Sequence, residues 1–282
     1  REGRDQVDDL ARRRPLHRRD EAIRDLRGER TKTFDAARRE LAADEVAGAP
    51  QRGPEHVPYR ELLLSPTFIG CCLAIFSTYW ALSLGLTWFT PFLQQGLGYS
   101  QKVAGNISVL PWLSGASIVL LSGWIGQMAL RRGASSRMAR GVFAGVAMLI
   151  GGLITLAMSQ TNLPPAGTVA LLVAGSSIPA VIYVMVPAIL SEFTPVGQRG
   201  AVLAINTAVS TLSGIIAPLV MGVVLGDVAT REGYMTGFVI TGAVQIIGAI
   251  AALILIHPQR EIEKLARYAD RPIPGAMPAP AE

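Results

Sequence analysis

Charged residues are missing from the interior of six long apolar stretches in this 282-residue sequence. The stretches cover residues 68–93, 104–130, 138–158, 168–190, 200–225 and 234–256. Each has the roughly 20 residues that a helix needs to cross about 30 Å of hydrocarbon. Six such stretches in succession exclude a soluble globular protein, so the sequence predicts an all-α membrane protein with six transmembrane helices.

Cysteine and histidine are also scarce, with two and three residues respectively. Cys71 and Cys72 are neighbours inside the first stretch, where a disulfide between them would be strained, so we expect small apolar residues there. The three histidines, His17, His56 and His257, lie outside the stretches or at their edge, and no Cys/His spacing indicates a metal site. The sequence therefore predicts no cofactor and no metal site.

Most of the charge precedes the first stretch, since residues 1–67 hold 15 of the 26 basic and 14 of the 21 acidic residues. We interpret residues 1–58 as a cytoplasmic polar segment with a linker, 59–257 as the six-helix transmembrane domain, and 258–282 as a cytoplasmic tail. A membrane explains the net charge of +5 better than nucleic acid does, because basic residues collect on cytoplasmic loops. The expected partner is thus a lipid bilayer, and no nucleic acid is expected.

The connections between the stretches differ in basic charge. After the first 67 residues, nine basic residues fall on the side of the two termini and two on the opposite side. Cytoplasmic loops carry the excess of Lys and Arg. This bias predicts that both termini are cytoplasmic, in a multi-pass protein of the plasma or inner membrane.

Polar residues inside the spans indicate which faces turn away from lipid, because polar groups are costly there. Spans 1, 2, 4 and 5 carry polar faces, whereas spans 3 and 6 look like apolar supports. Asn206 stands out, because its amide has four hydrogen-bonding sites to satisfy. The predicted substrate-binding residues are Tyr79, Thr87, Trp88, Asn106, Tyr183, Asn206 and Ser210. For any one Ser or Thr, helix packing is the competing interpretation.

No carboxylate, Lys, Arg or His lies within the interior of a span. A proton relay or a charge-pairing substrate site therefore cannot be built from these six helices alone. If the cargo is an anion, its counter-charge must come from elsewhere.

Several short motifs resemble the C-terminal half of major facilitator superfamily transporters. They are Thr87-Trp-Phe-Thr-Pro-Phe-Leu, Gly98-Tyr-Ser, Leu110-Pro, Arg131-Arg-Gly-Ala-Ser-Ser-Arg, Glu192-Phe-Thr-Pro-Val-Gly-Gln-Arg-Gly and Ile215-Ile-Ala-Pro-Leu-Val-Met-Gly. The resemblance is closest to the anion:cation symporters, which carry sugar acids and aromatic acids. It implies that the six helices form one half of a twelve-helix bundle, whose N-terminal six-helix half is missing from this chain. It also implies a small-molecule substrate and a coupling ion, either proton or sodium.

The resemblance further implies that cytoplasmic loops gate the transporter, with Gln127, Arg131, Arg132, Glu192 and Arg199 as the candidate residues. Gln127 departs from the pattern, since the superfamily places an Asp there. Because Gln carries no charge, we expect a weaker cytoplasmic latch at this position.

The functional hypothesis is secondary active transport of a small organic anion of the sugar-acid or aromatic-acid type. The sequence begins with Arg rather than Met, which suggests a fragment. Three alternatives stay open: a homodimer of halves, a scaffold that recruits a partner through its cytoplasmic segment, and a membrane-embedded enzyme. The enzyme is the weakest, because Glu192 and Asp227 fall on opposite sides of the predicted membrane and cannot form a catalytic pair.

Overall fold

The computed structural model describes residues 56–226 and 229–269. Almost all of the predicted cytoplasmic segment 1–58 and half of the predicted tail 258–282 lie outside these ranges, as does Asp227. The domain boundaries proposed from the sequence therefore stay predictions.

All regular structure in the described ranges is helical. The ten α-helices are α1 (Tyr59–Leu63), α2 (Pro66–Thr87), α3 (Gln101–Ile107), α4 (Leu110–Arg131), α5 (Phe143–Gln160), α6 (Pro165–Ser177), α7 (Ile182–Phe193), α8 (Arg199–Leu225), α9 (Arg231–Leu255) and α10 (Pro258–Ala269). A further helical turn, Phe89–Pro91, lies between α2 and α3.

Six helical segments are long and apolar enough to cross a membrane, which confirms the predicted number of spans. They are span 1 (Pro66–Thr87), span 2 (Gln101–Arg131), span 3 (Arg137–Gln160), span 4 (Pro165–Phe193), span 5 (Val196–Leu225) and span 6 (Arg231–Leu255). All the charged residues of these spans lie in the first or last turn.

Irregular helical turns follow, open or interrupt three of the spans. A π-helical turn, Phe92–Gly96, extends the helical path beyond span 1, and another, Arg137–Val142, opens span 3. Span 4 is broken by a 3-10 turn at Ile178–Val181, where Pro179 cannot donate a backbone hydrogen bond. Such breaks turn the following side chains to a new face, so the helical spacing read from the sequence does not carry through them.

Span 6 lies at the centre of the packing, where α9 contacts both α2 and α5. Glycines bring these helices close together: a Cβ on Gly152 would lie 3.2 Å from the backbone oxygen of Gly242. On the other side of span 3, a Cβ on Gly151 would lie 2.8 Å from the backbone oxygen of Gly175. Spans 3 and 6 therefore pack through backbone contact, as small residues allow in membrane helices.

Spans 2 and 5 present large apolar side chains on the outside of the bundle. Leu120 and Trp124 on α4 are exposed, as are Leu219 and Val223 on α8. In a membrane such surfaces lie against lipid or against further helices.

The chain is tied together at the end of the bundle where span 1 begins. The Val57 backbone N–H donates to the side-chain oxygen of Gln198 at 2.9 Å, and the Gln198 amide donates back to the Val57 carbonyl at 2.8 Å. Lys264 of α10 pairs with Glu61 of α1 at 3.0 Å. The entry to span 1 is thus held by the first turn of span 5 and by α10.

Candidate functional site

A cavity of about 300 Å³ lies between the helices. Its walls come from spans 1, 2, 4 and 6, with Thr155 added from span 3. Most of the lining is apolar, including the rings of Phe89, Trp112 and Phe238. Span 5 contributes no lining residue.

Three threonines bring hydroxyl oxygens to the cavity wall. Thr78, Thr155 and Thr241 each donate to a backbone carbonyl one turn earlier, at 3.1, 3.0 and 2.9 Å. Their protons are therefore occupied, whereas the oxygen lone pairs can still accept. The three hydroxyls act as acceptors toward anything bound between them.

Two other polar side chains of the wall have unused hydrogen-bonding capacity. Gln245 is fully buried, and neither its amide nitrogen nor its amide oxygen has a partner within the described ranges. The hydroxyl oxygen of Tyr183 is buried and also lacks a partner among the residues the structure describes. The residues that line the cavity are thus all uncharged.

A second polar cluster surrounds Glu192 at the end of span 4. The Glu192 carboxylate accepts from Arg140 at 2.8 Å and from the hydroxyl of Ser136. Arg199, near the start of span 5, donates from Nε to the backbone oxygen of Thr194 in the connection between spans 4 and 5 at 3.0 Å. The contacts of Glu192 bind the connection between spans 2 and 3, and the first turn of span 3, to the end of span 4.

His257 lies just beyond span 6, at the same end of the bundle. Burial lowers its pKa, and the positive charge of Arg137 acts in the same direction. His257 is therefore biased toward its neutral form. In the described part of the chain, no group of three or more His, Cys, Asp or Glu side chains could hold a metal ion.

The sequence model of the Major Facilitator Superfamily matches residues 12–218, which is most of the chain. The chain belongs to the Major Facilitator Superfamily.

Several curated relatives are named as transporters of small organic anions. A D-galactonate transporter of Escherichia coli O6:H1 is 29% identical over 204 residues, covering 72% of this chain and 45% of the relative. A probable galactarate/D-glucarate transporter of Bacillus subtilis is 24% identical over 211 residues, covering 73% and 44%. A chloroplastic ascorbate transporter of Arabidopsis thaliana is 22% identical over 208 residues, covering 73% and 37%.

The chain spans less than half the length of each of these relatives. Its six spans correspond to half of a superfamily bundle, as the sequence motifs implied. The names of the relatives are those of transporters, which groups the chain with transporters rather than with membrane-embedded enzymes.

Of the seven predicted substrate-binding residues, the structure places only Tyr183 in the cavity wall. Four others lie elsewhere. The Tyr79 ring packs near Gly214, and the Thr87 hydroxyl donates to the Ser83 carbonyl. The Trp88 ring lies 6.3 Å from the Tyr234 ring, and Asn106 is exposed on α3. The role of all seven in substrate binding stays a prediction.

Asn206 and Ser210 lie on the side of span 5 that faces span 1. Asn206 is buried, and its amide nitrogen donates to the Cys72 sulfur at 3.3 Å. Ser210 is buried and donates to the Thr207 carbonyl at 2.7 Å. Asn206 thus contacts a neighbouring helix, Ser210 bonds within its own helix, and neither lines the cavity, which favours a packing role for both.

The predicted gating residues separate into two groups. Glu192 and Arg199 take part in the loop contacts described above, whereas Gln127, Arg131 and Arg132 are exposed. The partner of Glu192 is Arg140 rather than the Arg131–Arg132 pair. The role of all five predicted residues in gating stays a prediction.

Gln245 was not predicted as a site residue, and the interpretation of spans 3 and 6 as apolar supports stays a prediction. Thr155 of span 3, with Thr241 and Gln245 of span 6, is nevertheless among the residues that line the cavity. One signal was present in the sequence: Gln245 is an amide in the middle of a span, three residues from both Gly242 and Gly248. Small residues on its face indicate close neighbours, so the amide had to lie inside the bundle.

Proposed function

We propose that this chain is the six-helix C-terminal half of a secondary transporter for a small organic anion of the sugar-acid type. The observation that carries the proposal is the neutral, partly polar cavity enclosed by spans of a superfamily bundle. The names of the relatives support the substrate class, since they include D-galactonate, galactarate/D-glucarate and ascorbate.

In this proposal the two halves supply different groups to the substrate site. The six spans contribute uncharged hydrogen-bonding groups, with Tyr183 as one of them. The counter-charge for the carboxylate, and the group that binds a coupling proton or sodium ion, belong to a second six-helix half. Tyr79, Thr87, Trp88 and Asn106 remain proposed contributors to the site, whereas the buried contacts of Asn206 and Ser210 favour helix packing for these two residues. Rocking of one half against the other would give alternating access.

The same proposal sets the position of the chain in the membrane. Residues 59–257 cross the bilayer of the plasma or inner membrane, and residues 1–58 and 258–282 are cytoplasmic. Residues 1–58 then stand where the central loop between the two halves would lie. Gln127, Arg131, Arg132, Glu192 and Arg199 would meet the second half at the cytoplasmic surface.

The experiment is reconstitution of two preparations in liposomes: the 282-residue chain alone, and the same chain joined to a six-helix half encoded upstream of it. We expect concentrative uptake of labelled D-galactonate or D-glucarate only when both halves are present. Imposed pH and sodium gradients then identify the coupling ion. Concentrative uptake by the chain alone would contradict the two-half proposal and favour a homodimer of halves.

A further inference from the structure

Three basic residues meet at the end of the bundle where span 3 begins and span 6 ends. Arg137 is the first residue of span 3, His257 follows span 6, and Arg260 lies in the first turn of α10. The two spans touch there, since a Cβ on Gly141 would lie 3.0 Å from the Ile256 side chain. Besides its burial, the positive charges of Arg137 and Arg260 lower the pKa of His257, so both guanidinium groups lie near the same imidazole.

This basic cluster of Arg137, His257 and Arg260 carries positive charge that the described residues do not neutralise. Within the described ranges, no carboxylate forms an ion pair with Arg137 or Arg260. Glu261 acts on His257 from the same helix as Arg260, but its carboxylate is buried and accepts from the Thr67 hydroxyl at 3.4 Å. Arg137 is only partly exposed, and its Nε is buried without a partner in that part of the chain. Because a partly buried cation without a counter-ion is costly, the cluster attracts an anion.

The surface of spans 3 and 6 near the basic cluster is apolar and exposed. Each of the two helices carries a row of exposed apolar side chains: Val146, Ile150 and Leu153 on span 3, and Ile247, Ile250 and Ile254 on span 6. The rows begin at the same level, because the Leu253 side chain would meet a Cβ on Gly145 at 2.7 Å. Ile254 stands three residues before His257, so the row on span 6 leads directly to the cluster.

We propose that the basic cluster binds the phosphate of an anionic phospholipid whose acyl chains lie along the exposed rows of spans 3 and 6. Guanidinium groups suit this role, since they present a planar fork of donors to phosphate oxygens. Basic pockets between membrane helices bind anionic lipid headgroups in this way. The apolar rows favour a lipid over a free phosphate ion, which has nothing to place against them. The site goes beyond the proposed function, because it needs neither a transported substrate nor a second half.

The test is thermal unfolding of the 282-residue chain in a neutral detergent with three additions: dioleoyl phosphatidylglycerol, dioleoyl phosphatidylcholine and inorganic phosphate. The two lipids have the same acyl chains, and only phosphatidylglycerol has a net negative charge. We expect phosphatidylglycerol to raise the unfolding temperature in a saturable manner, phosphatidylcholine to raise it less, and inorganic phosphate to have no effect.

Three results with the wild type would overturn the proposal. No response to phosphatidylglycerol would remove the site. Equal responses to the two lipids would show that apolar contact alone holds them. A response to inorganic phosphate as large as that to phosphatidylglycerol would show a site for a free anion instead of a lipid.

Charge-removing variants locate the site. We expect Arg137→Gln and Arg260→Gln each to weaken the apparent affinity for phosphatidylglycerol about fivefold, because each removes one cation that faces the anionic headgroup. Arg137→Lys keeps the charge and should retain most of the affinity. The matched control is Arg132→Gln, which removes an exposed cation from the connection before span 3 and should respond as the wild type does. An equal loss in the control would show that net charge alone attracts the lipid and would refute the site.

Stability without added lipid separates binding from a structural role. Since Arg137 has no ion-pair partner within the described ranges, we expect lipid-free Arg137→Gln to be at least as stable as the wild type. A weaker phosphatidylglycerol response at unchanged lipid-free stability would support the site. Lower lipid-free stability with an unchanged affinity for phosphatidylglycerol would make Arg137 a structural residue and overturn the proposal.

Discussion

Asn206 shows how a single polar side chain can serve either a ligand or a helix contact. Its amide nitrogen lies 3.3 Å from the Cys72 sulfur, which joins span 5 to span 1. Interhelical hydrogen bonds in membranes contribute about 0.6 kcal/mol on average, so this contact is modest. A buried amide that loses its partner nevertheless leaves a desolvated group behind.

We expect Asn206→Ala to lower the free energy of unfolding by about 1 kcal/mol and to leave the half-saturation concentration of the two-half transporter unchanged. Cys72→Ala should have a similar effect, and Thr207→Ala, on the exposed side of the same helix, should have little. Chemical denaturation of the chain and uptake kinetics normalised to protein amount give the two quantities. An increase in half-saturation at unchanged stability would instead make Asn206 a substrate ligand.

Glu192 offers a second prediction for single residues. Its ion pair with Arg140 is partly buried, with side-chain exposures of 24% and 20%. We expect a double-mutant cycle of Glu192→Gln and Arg140→Gln to give a coupling of about 1 kcal/mol, because water and salt reach the pair only in part. The coupling should shrink in high salt. A coupling near zero at low salt would show that the pair does not hold the loop to span 4.

Individual helices depend on how closely they approach their neighbours. Gly151 of α5 lies against both Pro179 and the backbone of Gly175, so a methyl group there meets atoms that cannot turn aside. We expect Gly151→Ala to destabilise the bundle by about 1–3 kcal/mol through overpacking. Thermal unfolding in detergent measures the loss.

Gly105→Ala is the matched control for this change. Nothing lies within 4 Å of a Cβ built on Gly105 in α3, and alanine favours helix over glycine. The control should therefore be neutral or slightly stabilising. Equal destabilisation by both changes would show that the close contact of spans 3 and 4 is not the cause.

The spans could be predicted from the sequence because charge exclusion is a local property of each stretch. The cavity could not be predicted from the sequence, because the neighbouring helices decide which face of a uniformly apolar helix turns inward. Tyr183 and Asn206 illustrate the difference: both are polar and lie away from the ends of their spans, yet only Tyr183 lines the cavity. The 3-10 turn at Ile178–Val181 directly precedes the helix that carries Tyr183, and periodicity alone does not reveal such a turn.

The whole bundle has a predicted orientation that labelling can test. Ser100 and Ser135 are exposed and lie in connections that the positive-charge bias puts on opposite sides. We expect Ser100→Cys to react with an impermeant thiol reagent from outside the cell and Ser135→Cys only after permeabilisation. Ser100 is preferable to the neighbouring Gly98, whose φ of 75° strains any other residue.

The native thiols provide the background for this experiment. Cys71 and Cys72 are buried in span 1, so the unmodified chain should react little. Reaction of both introduced cysteines from the same side would refute the six-span topology.

The confinement of charge to the ends of the spans has an electrical consequence. Moving one elementary charge across the whole membrane against a potential of 100 mV takes about 2.3 kcal/mol of electrical work. Between its terminal turns, each of the six spans carries no Lys, Arg, Asp or Glu, so tilting this bundle displaces almost no charge across the field. Voltage therefore does almost no work on this half. Any dependence of transport on membrane potential is carried by the cargo, by its coupling ion or by charged groups outside these six helices.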